Sequence, residues 1–91
     1  MFEAVEFIEL RHQPEPTERL VGEFPDEMDA VAAARSAKAD FMAAGSNDYA
    51  WWMVRKSGAR LAQFIADSKS DKEFVLDLTT GQLVEVRSPA T

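Results

Sequence analysis

The clearest periodicity in the chain runs between Asp26 and Gly45. Ala30, Ala34, Ala37, Phe41 and Ala44 recur at helical spacing and draw one narrow apolar stripe. Asp26 is placed to accept from the first-turn amides, and Glu27 and Asp29 add negative charge at the positive end of the helix dipole. Gly45 stands where a left-handed C-terminal cap belongs. Most of the stripe is alanine, so this helix can lie close to a partner layer but brings little bulk of its own. Val31 and Met42 widen its apolar side, with the stem of Lys38 between them, and Asp29, Ser36 and Asp40 mark a solvated flank.

On either side of the helix the pattern turns to short β-type runs. Residues 2–11, with Val5, Phe7 and Ile8, predict a strand, although Glu3, Glu6 and Glu9 recur every third position instead of alternating. Gln13, Pro14, Glu15 and Pro16 interrupt it, because proline fixes φ and removes a donor. Residues 19–24 predict a second, shorter strand, weakened by Gly22. After the turn chemistry of Ser46, Asn47 and Asp48 come four runs in quick succession: Tyr49–Lys56, then 59–67, 73–78 and 83–87. Connections this short make antiparallel neighbours. The expected fold is therefore α+β: a single alanine-rich helix packed on an antiparallel sheet, in the order ββαββββ, ending in a C-terminal meander. Residues 1–91 form one domain, with 88–91 read as a frayed tail.

Turn chemistry predicts the registers. A type I turn with a glycine bulge at Thr79-Thr80-Gly81 pairs Leu78 with Gln82 and gathers Phe74, Leu76, Val84 and Val86 on one face. A two-residue Thr80-Gly81 loop would instead pair Leu78 with Leu83 and put Glu85 and Arg87 beside Phe74 and Leu76; the first register gives the more apolar face. The same bulged turn at Lys56-Ser57-Gly58 pairs Arg55 with Ala59. It divides Tyr49, Trp51, Met53, Leu61 and Ile65 from Ala50, Trp52, Val54, Ala62 and Phe64. An alanine-striped helix needs large residues beneath it, so size matching places Tyr49, Trp51 and Met53 under the helix and Trp52 and Phe64 on the far face.

Composition and charge narrow the functional classes. The absence of cysteine removes disulfides, thiolate chemistry and cysteine-based zinc sites. The start of the chain lacks the basic and apolar regions of a secretory signal, and no stretch is long and apolar enough for a membrane span, so a cytoplasmic protein without membrane association is expected. The net charge of −6 sits in the first third: residues 1–29 hold nine acids and two bases, residues 30–91 seven acids and eight bases. Phosphate binding normally announces itself as a basic excess, so nucleic acid is disfavoured as the main ligand.

No constellation of residues announces catalysis. His12 is the only histidine, the loop serines sit in no nucleophile elbow, and the four glycines are too scattered for a phosphate loop. No metal, cofactor or enzymatic activity is expected. A single helix covers only part of a sheet of up to six strands, and contiguous exposed apolar area marks interaction sites. The chain therefore reads as an interaction module that self-associates as a homodimer or binds a protein partner through the uncovered face. Trp52, Val54 and Phe64 are the expected anchors, with Lys56 and Arg60 at the border. The same aromatics and bases could instead stack single-stranded nucleic acid, or the acidic first third could bind a basic protein.

Overall fold

The computed structural model describes residues 1–87, so the tail expected over 88–91 lies outside the described residues. The chain runs β1 (Phe2–Glu9), β2 (Thr17–Phe24), α1 (Glu27–Ala43), β3 (Tyr49–Lys56), β4 (Ala62–Asp67), β5 (Lys72–Asp77) and β6 (Gln82–Arg87). The strands form one sheet in the spatial order β2-β1-β3-β4-β5-β6, with every neighbouring pair antiparallel. This is the ββαββββ, α+β arrangement expected from the sequence. Because β2 and β3 both run opposite to β1, they are parallel to each other, and two parallel strands require a long crossover. α1 is that crossover.

The helix starts and stops where its caps say it should. Asp26 has extended backbone and accepts from the Met28 amide at 3.0 Å, and Gly45 takes φ of 73°, a conformation costly for any residue with a side chain. Ala30, Val31, Ala34 and Ala37 are buried, Phe41 is half-buried, and Met42 is exposed. The helix lies over β1, β2, β3 and the near side of β4, leaving β5 and β6 to extend past it. One side-chain strap reaches across: the Arg35 guanidinium donates twice to the Glu73 carboxylate, at 2.8 and 2.9 Å, and sits 5.6 Å from the centre of the Phe64 ring.

The face beneath the helix is the reverse of the one that size matching selects. Trp52, Val54 and Phe64 are buried under α1 together with Ala4, Ala50 and Ala66, and Phe41 meets Trp52 edge to face. Tyr49, Trp51 and Met53 point to the other side. A helix needs large residues beneath its alanines, but it also needs small ones between them to come close. Only the Trp52 face alternates large with small, as Ala50-x-Trp52 and Ala62-x-Phe64-x-Ala66. The Trp52 indole also needs an acceptor once buried. Glu6, on the same side of β1, receives its Nε1–H at 2.9 Å through Oε2 and an Arg19 Nε–H at 2.9 Å through Oε1. The three-residue spacing of Glu3, Glu6 and Glu9 thus conceals alternation: Glu6 is inside, while Glu3 and Glu9 lie on the opposite face.

Three local expectations change with it. The β3–β4 pairing keeps the expected division of faces, but Val54 opposes Phe64 and a shift at Arg55 brings it opposite Ala62, so β4 starts three residues later than expected. The β5–β6 turn is four residues long, with Asp77 opposite Gln82 and Leu76 opposite Leu83. The expected Leu78–Gln82 pairing is therefore not formed, and Phe74 and Leu76 share their face with Leu83 and Glu85. Asp77 itself explains the longer turn, since its carboxylate accepts from the Thr79 amide at 2.8 Å and its carbonyl from the Gly81 amide at 2.7 Å. Gly22 gives the Phe24 ring room in β2. It borders an irregularity in the β1–β2 pairing, and a Cβ there would fall 2.9 Å from the ring of Phe24.

Burial pushes the pKa of the Glu6 carboxyl up, but the hydrogen bonds from Arg19 and Trp52 and the Arg19 charge outweigh it and hold the group below the usual range. A carboxyl lowered in the folded state stabilises the fold above its unfolded pKa of about 4.3, and that stabilisation is lost as pH falls through the folded value. Urea denaturation between pH 7 and pH 3 should show a shallower acid loss for Glu6→Gln than for the unsubstituted chain. Glu6→Ala, which leaves the buried indole without its acceptor, should cost about 2 kcal/mol at pH 7. Equal acid slopes for the unsubstituted chain and Glu6→Gln would contradict this role.

Candidate interaction surface

The sheet has one uncovered face, and its side chains follow from the register. Val5, Phe7 and Glu9 of β1 stand opposite Met53, Trp51 and Tyr49 of β3; Met53 and Trp51 stand opposite Ile65 and Asp67 of β4; Ile65 stands opposite Phe74 of β5. Leu76 and Leu83 close the row at the β5–β6 hairpin. Val5 is buried even here, the central residues are half-buried by one another, and Leu83 and Leu20 are exposed at opposite ends. The result is a continuous aromatic and aliphatic band across all six strands.

Within the band, the rings are organised. Phe7 stacks on Trp51 with centroids 5.2 Å apart and planes 10° from parallel, and Tyr49 leans on Trp51 at 5.6 Å. Tyr49, Trp51, Ile65, Phe74 and Leu83 line an open depression of about 450 Å³, with the carboxylates of Glu9 and Asp67 on its rim. Two charge clusters flank it. Arg55 pairs with Glu3 at 3.0 Å and Glu18 at 3.8 Å, and Lys72 pairs with Glu85 at 3.2 Å. Among the described residues, neither Glu9 nor Asp67 has an ion-pair partner. Asp67 Oδ1 accepts from the Lys69 and Ser70 amides, both at 2.9 Å, which fixes the carboxylate at the β4 end.

The residues expected to form the surface are dispersed by the fold. Trp52, Val54 and Phe64 are at most 1% exposed and lie beneath the helix, so they are core and not anchors. Lys56 and Arg60 are exposed at the end of β3 and in the following loop, away from any exposed ring pair. The stacking platform expected from these five residues is therefore not assembled. His12 is exposed in the β1–β2 connection, and no group of three or more His, Asp or Glu side chains converges among the described residues. None of the described helices is long and apolar enough to cross a membrane.

A domain with a single helix on one side of an antiparallel sheet, and an aromatic band on the other, is the class this geometry defines. Compared with protein-family models, curated proteins and solved structures, the chain matches none.

Burial, reinforced by the charges of Asp67 and Glu9, pushes the Tyr49 phenol up. Tyr49 is the only tyrosine, so its ionisation can be followed by absorbance without ambiguity. Its midpoint should exceed the ordinary value of about 10, and Glu9→Gln should move it back toward that value. A midpoint that Glu9→Gln leaves unmoved would mean that this carboxylate does not act on the site.

Proposed function

We propose that this domain is a non-enzymatic interaction module that docks a protein partner on the sheet face opposite its helix. The observation that carries this reading is the aromatic band of Phe7, Tyr49, Trp51 and Phe74, half-exposed and covered by no element of the described chain. Contiguous apolar area of this kind is costly to leave wet and is characteristic of binding surfaces. Tryptophan and tyrosine are also the residue types that dominate binding energy.

The charge on this face favours a partner of another kind over a second copy. Among the described residues, Arg55 and Lys72 of this face are engaged with Glu3, Glu18 and Glu85, whereas Glu9 and Asp67 have no ion-pair partner. Two copies laid face to face would bring like charges together, and a basic partner would not. The same carboxylates repel phosphate, so this face makes a poor platform for nucleic acid despite its rings.

The test compares the unsubstituted chain with Trp51→Ala on the open face and Met28→Ala, an exposed apolar residue on the helix. Proximity labelling in the native cell should recover a defined protein that Trp51→Ala loses and Met28→Ala retains. Identical recovery by both variants would overturn the proposal. Light scattering identifies the other occupant: twice the mass of one chain, reduced to one by Trp51→Ala, would assign the face to a homodimer.

A further inference from the structure

We propose that the depression bounded by Tyr49, Trp51, Phe74, Glu9 and Asp67 is a receptor for a cationic side chain, of the lysine ammonium type, presented by a basic protein partner. The inference rests on the docking role proposed for this face and names the chemistry of its occupant.

Three independent features converge on a cation. The register sets each carboxylate directly across from a ring, Glu9 opposite Tyr49 and Asp67 opposite Trp51. Both rings and both carboxylates line the same depression, so a cation that enters it is bordered by all four. Aromatic faces attract cations at up to about 6 Å from the ring centre, through the negative face of the ring quadrupole. Phe7 stacks on Trp51 but does not line the depression, so it stiffens the indole without occupying the site.

The second feature is the unspent charge. The other acids of this face that lie near cations are paired with them: Glu3 and Glu18 with Arg55, and Glu85 with Lys72. Glu9 and Asp67 are the acids that flank the rings, and among the described residues neither has an ion-pair partner. The Tyr49 phenol is pushed up first by burial and further by the charges of Asp67 and Glu9 beside it. The third feature is rigidity. Asp67 is held by two backbone amides at the end of β4, so its carboxylate is oriented before any ligand arrives.

An uncharged apolar side chain would fill the same space but leave both carboxylates partly desolvated and unpaired. A phosphate or carboxylate ligand would be repelled. The depression is open, so it suits the end of a flexible side chain delivered by a docked protein better than a small molecule held on its own.

The test uses choline as the probe cation and 3,3-dimethylbutanol, its uncharged isostere, as the control. Both are titrated into the ¹⁵N-labelled chain while the two indole N–H signals are followed. Trp52, buried and hydrogen-bonded to Glu6, serves as the internal reference. Choline should shift the Trp51 signal saturably in the millimolar range and leave Trp52 unmoved, and 3,3-dimethylbutanol should shift it weakly. Glu9→Gln and Asp67→Asn should each weaken choline about threefold, in keeping with a partly exposed charge pair. Asparagine retains the Oδ1 acceptor for the Lys69 and Ser70 amides, so the β4 end stays intact. Equal shifts from the two probes would reduce the depression to an apolar patch and overturn the proposal, as would no shift from choline. Either result leaves the docking role to stand or fall on the Trp51→Ala and Met28→Ala comparison.

Discussion

The Trp52 indole is buried in the layer between helix and sheet, and its one polar group is answered by Glu6 from the adjacent strand. That hydrogen bond satisfies the indole on the face the helix covers. An indole N–H buried without an acceptor is costly, and Glu6, directly across from Trp52 on β1, supplies one. Once Trp52 is inside, strand alternation sends Ala50 and Val54 inward with it and Trp51, Tyr49 and Met53 outward. Pairing then carries the choice to every other strand. Phe64 and Ala66 follow Val54 and Trp52 inward, and Ile65, Asp67 and Phe74 go to the open side. The Arg19 guanidinium makes the arrangement tolerable electrostatically, because Glu6 would otherwise be a buried charge without a counterion.

Two consequences follow for the outside of the molecule. The helix is short of bulk and sits close to the sheet, so it covers β1, β2, β3 and part of β4 and no more. The Arg35–Glu73 pair ties its flank to β5, but the hairpin beyond is supported from one side only. Meanwhile the outward set of side chains is nearly as apolar as the inward set. The molecule thus has a core on one face and a second, uncovered hydrophobic layer on the other. What distinguishes them chemically is charge: Glu6 and Glu73 are neutralised by arginines inside, whereas Glu9 and Asp67 border the open rings without cations.

The elements themselves were legible because each rests on local rules. The alanine stripe, the Asp26 cap and the Gly45 terminus delimit α1, and the runs after Asp48 mark four strands with short connections. The division of β3 into its Trp51 and Trp52 sides was equally readable, since it follows from alternation alone. Which side is covered was not. Both sides offer large residues, and size alone points the wrong way. The deciding signals were non-local: small residues on β1 and β4 that leave room for the helix, and an acceptor for the indole forty-six positions away in Glu6. The β5–β6 register failed for a different reason. Asp77 builds a four-residue turn with its own side chain, and a parity change of one residue moves Val84 and Val86 to the opposite face. The candidate surface inherits the first of these errors. On β3 and β4 the open face carries Trp51, Met53 and Ile65, the sequence neighbours of the Trp52, Val54 and Phe64 that were expected there.

The central claim is that Trp52 is sealed beneath the helix while Trp51 faces outward. Hydrogen exchange of the two indole N–H groups, measured by NMR on the unsubstituted chain at concentrations where it is monomeric, tests this most directly. The account predicts that the indole bonded to Glu6 exchanges only through global unfolding, whereas the Trp51 indole exchanges orders of magnitude faster. Comparable rates for the two, or protection of Trp51 with rapid exchange of Trp52, would contradict it.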